Sequence, residues 1–186
     1  MVSSLKTCLA GCAILAAAAG PAAAQQARST RDLGFFIGRW QGESSFLPAF
    51  TPGAVPRRET VRSQCEYVLA GAYIQCSVTL TNARARERGV MHLFNFNEVS
   101  GDYEGLTLAS NYGQESGYAL RWDEAEKAWI AHLPTTTADG RKATERIVYT
   151  VSEDGGTIRL RELIRPDDTP DGTWVQTYES VLRKVP

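Results

Sequence analysis

The chain lacks an excess of charge of either sign. Its 20 Lys and Arg against 21 Asp and Glu leave a formal net charge of −1 over 186 residues. The basic residues are interspersed with acidic ones, which argues against a nucleic-acid-binding surface. Arg84, Arg86 and Arg88 are the one basic cluster, broken by Glu87, and read as a solvated loop between two strands. No apolar run reaches the roughly 20 residues that a membrane span needs. Histidine is scarce. His92 and His132 are the only two, and neither has a His, Cys or carboxylate at ligand spacing, so no metal site is expected. The chain has no His-Glu-x-x-His, no P-loop and no Rossmann glycine pattern. In Gly113-Gln114-Glu115-Ser116-Gly117 the serine falls one place too late for a nucleophile elbow. Cys-x-x-Cys redox pairs and Asn-x-Ser/Thr sequons are missing too.

What is present begins with a leader. Met1–Lys6 carries one positive charge, Thr7–Gly20 is apolar and alanine-rich, and Ala22-Ala23-Ala24 fits the small-x-small rule for cleavage before Gln25. Residues 1–24 therefore read as a cleaved signal peptide and the protein as periplasmic or secreted. Leu9-Ala10-Gly11-Cys12 has the form of a lipoprotein box, but the apolar core continues beyond Cys12, where such a box should follow it. Residues 25–31 are polar and expected to be loose. Residues 32–186 form one domain, with enough chain for a real core.

Asp32 is placed to cap one helical turn, Leu33–Ile37, which Gly38 would end. From there the pattern is all-β: short alternating stretches with turn signals every ten or so residues. Strands are expected near 39–47, 58–69, 72–82, 89–98, 103–110, 116–123, 128–136, 143–151, 157–165 and 173–184. One hairpin can be registered from the sequence. With its turn at Ala70-Gly71, Val61, Ser63, Cys65 and Tyr67 fall opposite Leu80, Val78, Cys76 and Ile74 on one mostly apolar face. Cys65 and Cys76 then oppose each other, within disulfide reach. In an oxidising compartment they are expected to be bonded; the alternative is two buried thiols.

Gly38-Arg39-Trp40 after one helical turn, meandering strands and Arg183 in the last strand resemble the calycin pattern of lipocalins and fatty-acid-binding proteins. The resemblance implies a closed ten-stranded antiparallel β-barrel, with Trp40 plugging one end and Arg183 packed on its ring. More closely, Phe36–Glu43, Glu59-Thr60-Val61 and Phe94-Asn95-Phe96-Asn97 leading to Tyr103-Glu104-Gly105 are similar to the bacterial domain-of-unknown-function group 1579, related to the nitrobindins. Nitrobindins bind haem through a histidine near the C-terminal end of the barrel. This chain has none after His132, so no cofactor is carried over.

Chemistry is then sought in polar residues on apolar strand faces. Glu145 alternates with Ile147, Tyr149 and Val151; Glu162 with Ile158, Leu160 and Ile164; Glu179 with Val175, Val181 and Arg183. A carboxylate among apolar groups is costly unless paired, and its pKa tends to rise. Glu145 and Glu162 are therefore the candidate acid/base groups, with pairing to Arg121, Arg146, Arg159 or Arg161 as the structural alternative. Tyr67, His92, Phe94, Phe96, Trp122 and Tyr149 are the candidate ligand contacts, with core packing as theirs. The expected function is binding of a small apolar or aromatic molecule in the lumen. An enzyme (isomerase, lyase or hydrolase) using a lumen carboxylate with Tyr or Arg is the second reading, and a filled structural or partner-binding barrel the third. Nothing in the sequence sets the oligomeric state.

Overall fold

The structure, a computed structural model, describes residues 28–51, 53–110, 115–169 and 172–186. The expected leader and its cleavage site lie outside the described residues. Ten antiparallel strands follow one short 3₁₀ helix: β1 (Gly38–Phe46), β2 (Arg57–Val68), β3 (Tyr73–Asn82), β4 (Glu87–Asn97), β5 (Asp102–Ala109), β6 (Ser116–Asp123), β7 (Ala128–Thr136), β8 (Lys142–Val151), β9 (Thr157–Pro166) and β10 (Val175–Val185). Each strand pairs with its neighbours in sequence, and β1 pairs with β10, so the sheet closes into a barrel with no free edge. The fold is the all-β barrel that the sequence predicts.

The 3₁₀ helix, Thr30–Phe36, caps the end of the barrel where Trp40 lies. Its N-cap is Ser29, and Asp32 is the third residue of a reciprocal capping box. Asp32 also accepts a hydrogen bond from the Tyr103 hydroxyl at 2.5 Å, which pins the turn to β5. Thr30 Oγ1 donates to the Ala72 carbonyl and accepts from the Phe96 amide. The chain expected to be loose up to residue 31 is thus tied down from Ser29 onward. Leu33 and Phe36 bury themselves in the barrel bottom. Trp40 is 1% exposed, and its Nε1 donates to the Phe36 carbonyl at 2.7 Å.

Gly38, with φ +128°, lets the chain turn from the helix into β1; a β-carbon there would meet the Lys184 side chain at 2.8 Å. Gly105 faces Tyr118 in register, and the tyrosine ring occupies the space a β-carbon would need. The β2–β3 hairpin has the register deduced from its alternation, Val61 with Leu80, Cys65 with Cys76, Tyr67 with Ile74. Cys65 and Cys76 are disulfide-bonded, with Cα atoms 4.0 Å apart.

Strand β10 departs from simple alternation. Val175 faces Ile164, but the register shifts between Gln176 and Tyr178. Thr177 is a bulge, and a bulge moves every later side chain to the opposite face. The inner face therefore continues through Tyr178, Ser180 and Leu182, which line the lumen. Glu179 lies outside, paired with Arg159 at 3.3 Å. This corrects the expected end closure. Arg183 is exposed and faces Gln41, while Lys184 lies opposite Trp40 with its Nζ 5.4 Å from the ring centroid. The cation over the plug is Lys184, not Arg183.

Candidate functional site

The lumen has three layers. The bottom is aromatic. Phe36 stacks on Phe94 at 4.5 Å, Tyr149 meets Phe36 edge-on at 5.3 Å, and Tyr103 meets Trp129 edge-on at 4.9 Å. Above the Trp40 plug lies a cavity of about 70 Å³, bounded by Phe36, Trp40, Phe94, Leu160, the Cys65–Cys76 disulfide and Leu182, with His92, Tyr149 and Tyr178 as its polar points. Above that, toward the far strand ends, is a layer of titratable groups.

That layer follows from register. Tyr178 on β10 faces Glu162 on β9, Glu162 faces Ile147 on β8, and Glu145 is the next inward residue of β8, diagonal to Glu162. The third lumen carboxylate, Glu59 on β2, is held by Arg88 on β4: Nη2 donates to Oε2 at 2.7 Å and Nε to Oε1 at 3.3 Å. Among the described residues no cation pairs with Glu145 or Glu162. Burial and the neighbouring Glu145 push the Glu162 carboxyl up to about 8, and burial raises Glu145 as well. Both carboxyls are held above the usual carboxylate range, and diagonal neighbours of this kind titrate as a pair.

A hydroxyl chain crosses the lumen beside them. His92 Nδ1 lies 2.9 Å from Thr107 Oγ1, Thr107 Oγ1 3.5 Å from the Tyr118 hydroxyl, and Tyr118 3.2 Å from the Tyr149 hydroxyl. Burial lowers His92 to about 4, so its imidazole is neutral at pH 7. Burial also raises Tyr118 and, further, Tyr149, and lifts Tyr178 to about 12 with the Glu162 charge adding to it. These groups can exchange hydrogen bonds with a bound molecule in their neutral forms.

The sequence-predicted residues divide accordingly. Phe94, His92 and Tyr149 line the cavity, and Glu145 and Glu162 stand above it in the lumen. Tyr67, Phe96 and Trp122 do not belong to it. They occupy the plugged ends of β2, β4 and β6, where Tyr67 is 40% and Trp122 47% exposed, and Phe96 packs on Tyr103 at 5.0 Å. Antiparallel geometry places the last residues of these strands beside the 3₁₀ helix, whatever face they share. His132 is exposed on the outer face against Trp174. The arginines weighed as partners for Glu145 and Glu162 are outside as well: Arg121 pairs with Asp102, Arg146 with Glu126 and Arg159 with Glu179, while Arg161 lies across from Val148 and Glu179 with its buried Nε unpartnered among the described residues.

Sequence reasoning missed Arg88, Glu59 and Tyr178. Arg88 was assigned to a loop, but β4 begins at Glu87 and turns Arg88 inward beside Val90 and His92. The alternation Arg88, Val90, His92, Phe94 carried that signal. Tyr178 was hidden by the bulge. Among the described residues no group of three or more His, Cys, Asp or Glu is gathered for a metal ion, and no helix is long and apolar enough to cross a membrane. His92, the one histidine lining the cavity, has its Nδ1 2.9 Å from Thr107 Oγ1. No protein-family model matches the chain, and no curated protein matches it. The likeness to the 1579 group and the nitrobindins thus rests on short motifs, whereas the closed ten-stranded antiparallel barrel, compatible with a calycin-like fold, stands on the structure itself.

Proposed function

We propose that the protein is an extracytoplasmic barrel that binds a small, largely apolar or aromatic molecule in its lumen. The observation that carries this reading is the cavity between the Trp40 plug and the titratable layer, apolar on most sides with His92, Tyr149 and Tyr178 to orient a polar tip. A volume of about 70 Å³ admits a compact molecule or one end of a longer one reaching toward the mouth. The leader and the disulfide support an oxidising compartment.

A second reading, catalysis by proton transfer, is favoured by one observation: Glu162 titrates near 8 beside Glu145, under a mouth also holding Tyr178 and Arg88. A general base poised near neutrality is what such chemistry needs.

Native mass spectrometry of protein purified from its own host tests the first reading. A retained small molecule is expected. Its loss in Leu160→Trp, which fills the cavity, places it in the lumen; retention by that variant overturns the site. Turnover of the retained molecule, abolished in Glu162→Gln, would move the assignment to the enzyme.

A further inference from the structure

Two inward carboxyls without a cation are an unusual feature of a barrel interior. Glu59 is already neutralised by Arg88. Glu145 and Glu162 form no ion pair among the described residues; of the arginines next to them in sequence, Arg146 pairs with Glu126 and Arg161 lies on the opposite strand face, across from Val148 and Glu179. A buried charge of this kind is normally compensated. An independent sign lies on β1. Ser44 faces the lumen between Glu59 and Ser180 in register, is 3% exposed, and its Oγ, beside the Tyr178 hydroxyl, makes no well-aligned hydrogen bond among the described residues. A buried polar atom left unpaired in a native fold calls for a partner that the protein chain does not supply.

We infer that the upper lumen is a site for a protonated amine carried on a compact apolar or aromatic body. The Glu145–Glu162 pair takes the ammonium group, Ser44 and Tyr178 hydroxyls accept from its remaining N–H donors, and the cavity below takes the apolar body. The inference rests on the lumen-binding reading and names its ligand class. An ammonium set between the two carboxyls relieves the repulsion between their charges. A carboxylate ligand is disfavoured there, because Glu145, Glu162 and Glu59 outnumber Arg88, whose hydrogen bonds go to Glu59 and whose charge already acts on Glu162.

The pH dependence follows from the groups around the pair. Arg88 from β4 and Glu59 from β2 offset each other, and His92 is neutral above about pH 6. Tyr118 from β6, Tyr149 from β8 and Tyr178 from β10 stay protonated through pH 9. Glu162 gives up its proton as pH rises through about 8, so amine affinity rises across that value.

Calorimetric titration of the purified protein with benzylamine, benzyl alcohol and benzoate at pH 7 decides it. Benzylamine is expected to bind at least tenfold more tightly than benzyl alcohol, with benzoate weakest. In Glu162→Gln, and separately in Glu145→Gln, the preference for the amine over the alcohol should fall to within about twofold; near-ultraviolet dichroism checks that each variant is folded. Equal affinity for amine and alcohol would overturn the amine assignment and leave lumen binding standing. An amine preference that survives both substitutions would place the cation elsewhere and overturn the site. Binding of none of the three overturns the inference together with the lumen reading.

Discussion

At the scale of the residue, Glu162 is the most perturbed carboxyl. Its pKa in the folded protein, about 8, is above its unfolded value, so the native state holds the proton more tightly. Stability is therefore fullest below the unfolded value and is lost as pH rises through about 8. His92 runs the other way: its folded value near 4 lies below the unfolded 6.5, so its contribution is lost as pH falls from 6.5 toward 4. Between pH 6.5 and 8 only the glutamate slope remains. The urea midpoint of the protein should fall across that window, and Glu162→Gln should flatten the fall; an unchanged slope in the variant would contradict the assignment. Trp40 and Lys184 supply a second test. Trp40→Ala should cost about 3–5 kcal/mol, the range for deleting a buried aromatic side chain. Lys184→Ala should cost about 0.5–1 kcal/mol, as for an exposed cation over an aromatic face, whereas Arg183→Ala should change the denaturation midpoint little.

At the scale of the element, the β2–β3 hairpin and β10 make opposite points. In β2–β3 the period-2 patterns of two strands agree on one register, and the disulfide joins the opposed residues. Cys65 and Cys76 are 11 positions apart, so the bridge closes a short loop. Replacing both cysteines by alanine should lower the unfolding free energy by about 2–3 kcal/mol on the chain-entropy account, measured by urea denaturation. An unchanged midpoint would show that the bridge constrains little. In β10 one extra residue, Thr177, reverses the faces after it. Its sequence alternates plausibly either way, with Glu179, Val181 and Arg183 on one face and Tyr178, Ser180 and Leu182 on the other. Only pairing with both β9 and β1 decides which face goes inside.

At the scale of the whole molecule, closure by β1 and β10 removes the sheet edge, yet the seam is not uniform around the barrel. Among the described residues, strand β6 pairs with β5 through Tyr103–Thr107 and with β7 through Leu120–Asp123, whereas β2 and β3 pair along almost their full lengths. Local opening should begin where fewest ladder hydrogen bonds hold. Native-state amide exchange is expected to be fastest in β6 among the ten strands and slowest in β2–β3. Protection in β6 equal to that in β2 and β3 would refute this ranking.

Local alternation and turn chemistry determined by themselves the number of strands, their places to within about two residues, the N-terminal helical turn and the Cys65–Cys76 pairing, but not the second 3₁₀ turn, Leu69–Gly71, that joins β2 to β3. Each depends on neighbours close along the chain or on one hairpin. The inward placement of Glu145 and Glu162 with Phe94, His92 and Tyr149 was legible in the same way, because strand parity puts them on apolar faces. Tertiary structure alone decided that Lys184 rather than Arg183 covers Trp40, that Arg88 serves Glu59 inside the lumen, and that Tyr67, Phe96 and Trp122 sit at the plugged end. These depend on a bulge, on where a strand begins, and on how high along the barrel axis a residue falls. None of them leaves a mark in the period of the sequence; all are set by which strands meet when the barrel closes.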